Sequence, residues 1–115
     1  MKIEKRILCG DRLRRVPEGF GWVDHRLVRE GHLRKGDAKA WALYLVLVAV
    51  GDEHGLSYYS DRSLARLLSL TEAEIVSARR QLAGAELIAY EDPLYQVLAL
   101  PEDSLAWMPK GGAAP

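Results

Sequence analysis

Residues 60–82, SDRSLARLLSLTEAEIVSARRQL, hold two helical patterns separated by a short connection. Ser60 or Asp61 can cap a first helix, in which Leu64, Leu67 and Leu68 recur at i, i+3 and i+4. Ser69-Leu70 makes a tight connection, and Thr71 opens a second helix with Ile75, Ala78 and Leu82 on one face. Thr71-Glu72-Ala73-Glu74 has the form of a capping box, in which the Glu74 carboxylate folds back onto the backbone N–H of Thr71. Glu72 and Glu74 both sit in the first turn, where the helix dipole favours negative charge. The two acids are therefore explained by the helix itself. At about 100° per residue, turning Ile75, Ala78 and Leu82 inward places Ala73, Ser77 and Arg80 at the centre of the opposite face, with Val76 beside them.

Upstream, Asp37 is a good cap for a helix over residues 38–50, AKAWALYLVLVAV. Apart from Lys39 it is apolar all round, which predicts a central post buried from several sides by Trp41, Tyr44, Leu45, Leu47 and Val48. GDEHG over residues 51–55 is a turn, and LSYY after it is a short strand with one tyrosine packed and the other exposed. A shorter amphipathic helix is expected over residues 23–33, from Val23, Leu27 and Val28. Downstream, residues 87–100 read as strand, Asp-Pro turn and strand. A buried helix, two helices joined by a tight turn and a two-stranded wing give a mainly α fold with a small β-wing, a winged helix-turn-helix. It is expected over residues 23–100, after a basic arm over residues 1–22 that could form a strand or hairpin. A loosely held tail follows over residues 101–115, with Trp107 docking on the body.

Sixteen Lys and Arg balance sixteen Asp and Glu, so no global positive field marks a nucleic-acid binder. The distribution is uneven: bases outnumber acids eleven to six in residues 1–39, and acids outnumber bases ten to five afterwards. The lone Cys9 cannot form an internal disulfide, and it reads as a buried or strand thiol. The longest apolar run is about half a membrane span, and no secretory signal is recognised. A cytoplasmic protein without membrane contact is expected. His25, His32 and His54 lack metal spacing, and neither a phosphate-cradling loop nor a nucleophile motif occurs, so no cofactor, metal or enzymatic activity is expected.

Residues 23–90 resemble the winged-helix domains of bacterial MarR-like regulators and of DnaD-type and plasmid replication-initiator proteins. The resemblance rests on GLSYYS at residues 55–60, SLARLL at 63–68, the Thr-capped helix from Thr71 to Leu82, and the closing Leu87-Ile88. Many such domains place Gly just before the closing Leu-Ile, but here Glu86 stands there and Gly84 lies two residues earlier. Either the helix stops sooner or Glu86 carries strain.

The resemblance implies duplex DNA as partner and a role as a small transcription regulator or a replication or mobile-element accessory factor. In a helix-turn-helix the first helix crosses the phosphate backbone and the second enters the major groove. Arg62 and Arg66 are then positioning residues, and Ala73, Ser77, Arg80 and Gln81 face the bases. Glu91-Asp92-Pro93-Leu94 gives the wing an acidic tip, unsuited to the minor groove. The missing positive charge is expected from Arg6, Arg12, Arg14 and Arg15 of the arm, or from Arg26 and Arg29. A single domain binds weakly, so a homodimer on a two-fold site is expected. The alternative is a winged helix used only for protein contacts, with a protein partner on the acidic wing or the C-terminal tail.

Overall fold

A computed structural model describes residues 3–101. The elements run α1 (Arg26–Arg29), a 3-10 turn (His32–Lys35), α2 (Ala38–Val50), β1 (Leu56–Tyr58), α3 (Asp61–Leu68), α4 (Glu72–Gly84), β2 (Ile88–Glu91) and β3 (Leu94–Val97). Among the described residues, four helices thus accompany one three-stranded antiparallel sheet of order β1-β3-β2. β2 and β3 form a hairpin with Tyr90 opposite Tyr95, and β1 adds to the free edge of β3 with Ser57 opposite Tyr95.

Asp37 and Thr71 cap α2 and α4 as expected, and of Ser60 and Asp61 it is Ser60 that caps α3. Asp37 accepts the Ala40 N–H at 2.9 Å and Ser60 accepts that of Ser63 at 3.0 Å. Thr71 and Glu74 complete the capping box in both directions, at 3.0 and 2.9 Å. Between α2 and β1, Asp52 Oδ1 accepts the N–H groups of His54 and Leu56, which shapes the turn. Gly55 has φ of +80°, and a Cβ there would lie 2.8 Å from the Val97 carbonyl oxygen, so both conformation and space demand glycine.

The core gathers Ala40, Leu43, Tyr44 and Leu47 of α2, Leu64 and Ala65 of α3, Ile75, Ala78 and Leu82 of α4, and Leu87, Ile88, Tyr95 and Leu100 around the hairpin. α2 packs chiefly on α4, which in turn packs on α3. Two apolar expectations need correction. Leu67 is 59% exposed because Ala65 takes the inward position beside Leu64, and Leu45 is 61% exposed because α2 keeps one stripe open.

The segment before α2 also differs. A helix over residues 23–33 is interrupted at Gly31, whose φ of +77° ends α1 and starts the 3-10 turn. That turn is secured to α2 by the Trp41 indole donating to the Leu33 carbonyl at 2.9 Å, and it buries His32 with Lys35 Nζ 2.9 Å from Nδ1. Residues 3–22 form no strand, only a short 3-10 turn (Gly10–Arg12), and Cys9 is exposed rather than buried. The hairpin strands stop at Val97, although Leu98 N–H still donates to the Leu87 carbonyl. The expected tail, with Trp107, lies outside the described residues beyond Pro101.

Two L-residues occupy left-handed positions at helix ends. α4 closes with Glu86 N–H on Ala83 and Leu87 N–H on Leu82, and Glu86 at φ of 62° fills the position where glycine is favoured. α3 closes on Ser69 at φ of 58°. The left-handed conformation costs an L-residue about 1–2 kcal/mol, partly offset in a glycine variant by greater freedom in the unfolded chain. Glu86→Gly is therefore expected to raise the unfolding free energy by about 0.5–1 kcal/mol in urea titration. A neutral or destabilising result would show that Glu86 is not strained.

At the start of α1, the Asp24 carboxylate accepts the Arg26 backbone N–H at 2.9 Å and its Nη2 at 2.7 Å. The Arg26 side-chain hydrogen bonds, joined by the backbone one, lower the Asp24 pKa from 3.8 to about 2. A carboxylate whose pKa is depressed on folding contributes stability above its unfolded value, and that contribution disappears as pH falls through the folded one. The stability gap between wild type and Asp24→Asn is thus expected to shrink between about pH 5 and about pH 2, measured by urea midpoints. A gap constant across that range refutes the linkage.

Candidate nucleic-acid interface

α4 buries Ile75, Ala78 and Leu82 and leaves Ala73, Ser77 and Arg80 in solvent, with Val76 half-buried beside them. Arg62 and Arg66 are exposed on α3, the helix packed against it. These five residues thus stand on the outside of two adjoining helices.

Gln81 has a different role from the base-reading one expected of it. Its Oε1 accepts the Asp37 backbone N–H at 2.8 Å, while Nε2 donates to Asp37 Oδ2 at 3.2 Å and Ser77 Oγ at 3.3 Å. The amide is therefore spent on joining α4 to the N-terminus of α2. A second tie lies two turns earlier on α4, where Lys39 Nζ meets the second oxygen of Glu74. The Lys39 hydrogen bond, followed by that from Thr71, lowers the Glu74 pKa, and Glu74 in turn raises that of Lys39. Glu74 is thereby neutralised twice, by the helix end and by a cation from another helix.

Arg79 was not singled out from sequence, yet it organises the opposite flank of α4. Its Nη1 lies 2.6 Å from Asp61 Oδ1 at the start of α3 and donates to the Tyr95 hydroxyl at 2.9 Å. Its guanidinium carbon stands 4.2 Å from the centre of the Tyr90 ring, which itself packs against Tyr95 at 4.6 Å. Burial opposes the charge, but the hydrogen bonds to Asp61 and Tyr95 outweigh it and hold Arg79 protonated. One side chain thus clamps α3, α4 and the hairpin together. The helical period turns Arg80 outward and leaves Arg79 on the flank, but it does not name Asp61, Tyr90 and Tyr95 as the partners of Arg79.

The arm and the helix pair are not brought together. A Cβ on Gly21 would sit 2.6 Å from the Val48 carbonyl oxygen, so the arm meets α2 near its C-terminal end, whereas Asp37 and Lys39 tie the other end to α4. Arg6, Arg12, Arg14 and Arg15 are exposed, and among the described residues no hydrogen bond or ion pair links them to α4. Arg26 is occupied by Asp24, while Arg29 is exposed. The 3-10 turn supplies a basic element that sequence reasoning passed over: Arg34 and Lys35 are exposed immediately before Gly36 and Asp37, which touch Gln81. The signal for it is tertiary, a contact spanning 44 residues.

At the hairpin tip, Glu91, Asp92 and Leu94 are exposed, and Tyr90 donates to Asp92 at 3.1 Å. Among the described residues no group of three or more His, Cys, Asp or Glu could hold a metal ion, and no helix is long and apolar enough to cross a membrane. No family model, curated protein or solved structure matches the chain.

Proposed function

We propose that the chain is a winged helix-turn-helix protein that binds duplex DNA through α4. The observation that carries the reading is the solvent face of α4, where Ala73, Ser77 and Arg80 stand free of core duty, with Arg62 and Arg66 exposed on the adjoining α3. The element order supports it: a buried helix, a strand, two helices joined at Ser69-Leu70, and a hairpin whose second strand pairs with the first strand.

In this reading α4 lies in the major groove. Arg80 offers a fork of donors suited to guanine, Ala73 an apolar contact for a thymine methyl, and Ser77 a hydroxyl that accepts or donates. Arg62 and Arg66 hold the phosphates on one side of α4, with Arg34 and Lys35 near the other edge. Gln81 keeps α4 in place instead of reading bases. The acidic hairpin tip stays off the duplex, since Glu91 and Asp92 would meet phosphate with like charge.

Binding then acts by occupancy, blocking or recruiting other machinery, and a homodimer on a two-fold site supplies the affinity that one helix lacks. Such a protein serves as a transcription regulator or as an accessory factor of replication or a mobile element, in the cytoplasm. The test is retention of a duplex from the gene's own upstream region in a gel shift at about 50 mM salt, weakening steeply as salt rises. A second reading, a protein-interaction module, draws on the acidic tip and the exposed Tyr58 and Leu94 beside it. A stoichiometric protein partner with no salt-dependent DNA retention selects it instead.

A further inference from the structure

A cleft of about 500 Å³ lies where the arm crosses α2, far along the chain from α4's contacts with that helix. Phe20 and Trp22 of the arm form one wall, and Tyr44, Leu47 and Val48 of α2 form another. Phe20 is 65% and Trp22 74% exposed, so two aromatic rings stand in water at its mouth. That volume and apolar lining fall in the range of small-molecule sites.

Its lining holds three acids, Asp24, Asp52 and Glu53, against Arg26 and His54. Asp52 and Glu53 line the rim, both exposed. The lining arginine, Arg26, is already engaged by Asp24 and adds no net charge to the pair. The C-terminal end of α2 also opens here: the Asp52 N–H goes to the Leu56 carbonyl instead of back to Val48, so the negative end of the helix dipole points toward the same space. Backbone hydrogen bonds from Leu56 and His54 lower the Asp52 pKa, which keeps that carboxylate ionised.

We propose that this cleft is a binding site for a lipophilic organic monocation, its aromatic or branched apolar body lying between Trp22 and the α2 wall and its positive centre facing Glu53 and Asp52. An anion would meet two carboxylates and a helix C-terminus. A neutral apolar molecule would leave them without a counter-charge, while the exposed rings favour a cation on their faces. The proposal is independent of DNA binding, so either outcome of the gel shift leaves it standing.

Two ions of nearly the same shape and opposite charge provide the test. The full chain is titrated with tetraphenylphosphonium and with tetraphenylborate, followed by tryptophan emission and calorimetry. Tetraphenylphosphonium is expected to saturate one site and to bind at least about tenfold tighter than tetraphenylborate, the sign of the local charge deciding the difference. Glu53→Gln, an exposed position with no structural hydrogen bond, is expected to weaken tetraphenylphosphonium about threefold and Trp22→Ala about tenfold. Equal affinity for the two ions, no saturable binding of either, or indifference to Glu53→Gln and Trp22→Ala would each overturn the assignment.

Discussion

Arg79→Ala is expected to lower the unfolding free energy by about 2–3 kcal/mol in urea titration, while the neighbouring Arg80→Ala stays within about 0.5 kcal/mol of wild type. Burial sets the size of the effect. An exposed ion pair contributes about 0–1 kcal/mol, and counting Arg79–Asp61 as such a pair would predict almost nothing. However, the Arg79 side chain is only 13% exposed, and Asp61, at 29%, is shielded in part. Tyr95 is fully buried, and Arg79 is the donor to its hydroxyl. Removing the guanidinium takes away that donor, leaves Asp61 without its cation and strips the stacked cation from Tyr90. Arg79→Lys is expected to recover less than half of the loss, because an ammonium keeps the charge but cannot present a planar fork to Asp61 and Tyr95 together. A change under about 0.5 kcal/mol in Arg79→Ala would show that the clamp does not hold the hairpin to the helices.

Arg80→Ala is expected to weaken retention of the upstream duplex about 10- to 100-fold at about 50 mM salt, the loss of one forked contact to a base. Since Arg80 is exposed and outside the core, its unfolding transition should not move, which separates a lost contact from a lost fold. Arg62→Ala and Arg66→Ala are expected to act differently. Each should weaken binding to all sequences alike and reduce the slope of log affinity against log salt by about 0.9, as one phosphate contact disappears. Gln81→Ala should show chiefly a stability loss, because its amide bridges Asp37 and α4. Wild type and Arg80→Ala migrating alike, with no salt dependence in either, would remove the DNA reading and leave the protein-interaction module.

Much of the helical framework is legible in the chain because its signals are local. Thr71 and Glu74 are three residues apart, and a capping box needs nothing else. Asp37 and Ser60 act over the same span. The inward face of α4 follows from its period, and Ile75, Ala78 and Leu82 are buried as that period requires. The position of Glu86 in a left-handed cap could likewise be anticipated as one of two outcomes, since the closing Leu-Ile fixes where the turn must end. Local pattern fails where two choices satisfy the same period. Leu67 and Ala65 flank Leu64 on opposite sides of α3, and the packing turns the Ala65 side inward and leaves Leu67 exposed.

The caps at Asp37 and Thr71, the turn at Gly55 and the outward position of Arg80 are written in the chain, because hydrogen bonds between near neighbours and the helical period carry that information. Packing alone gives Arg79 its partners Asp61 and Tyr95, ties Gln81 to Asp37 across 44 residues and brings the arm to α2 at the end away from α4. Those assignments depend on which surfaces lie opposite one another after packing, and a side chain's type does not encode its distant partner.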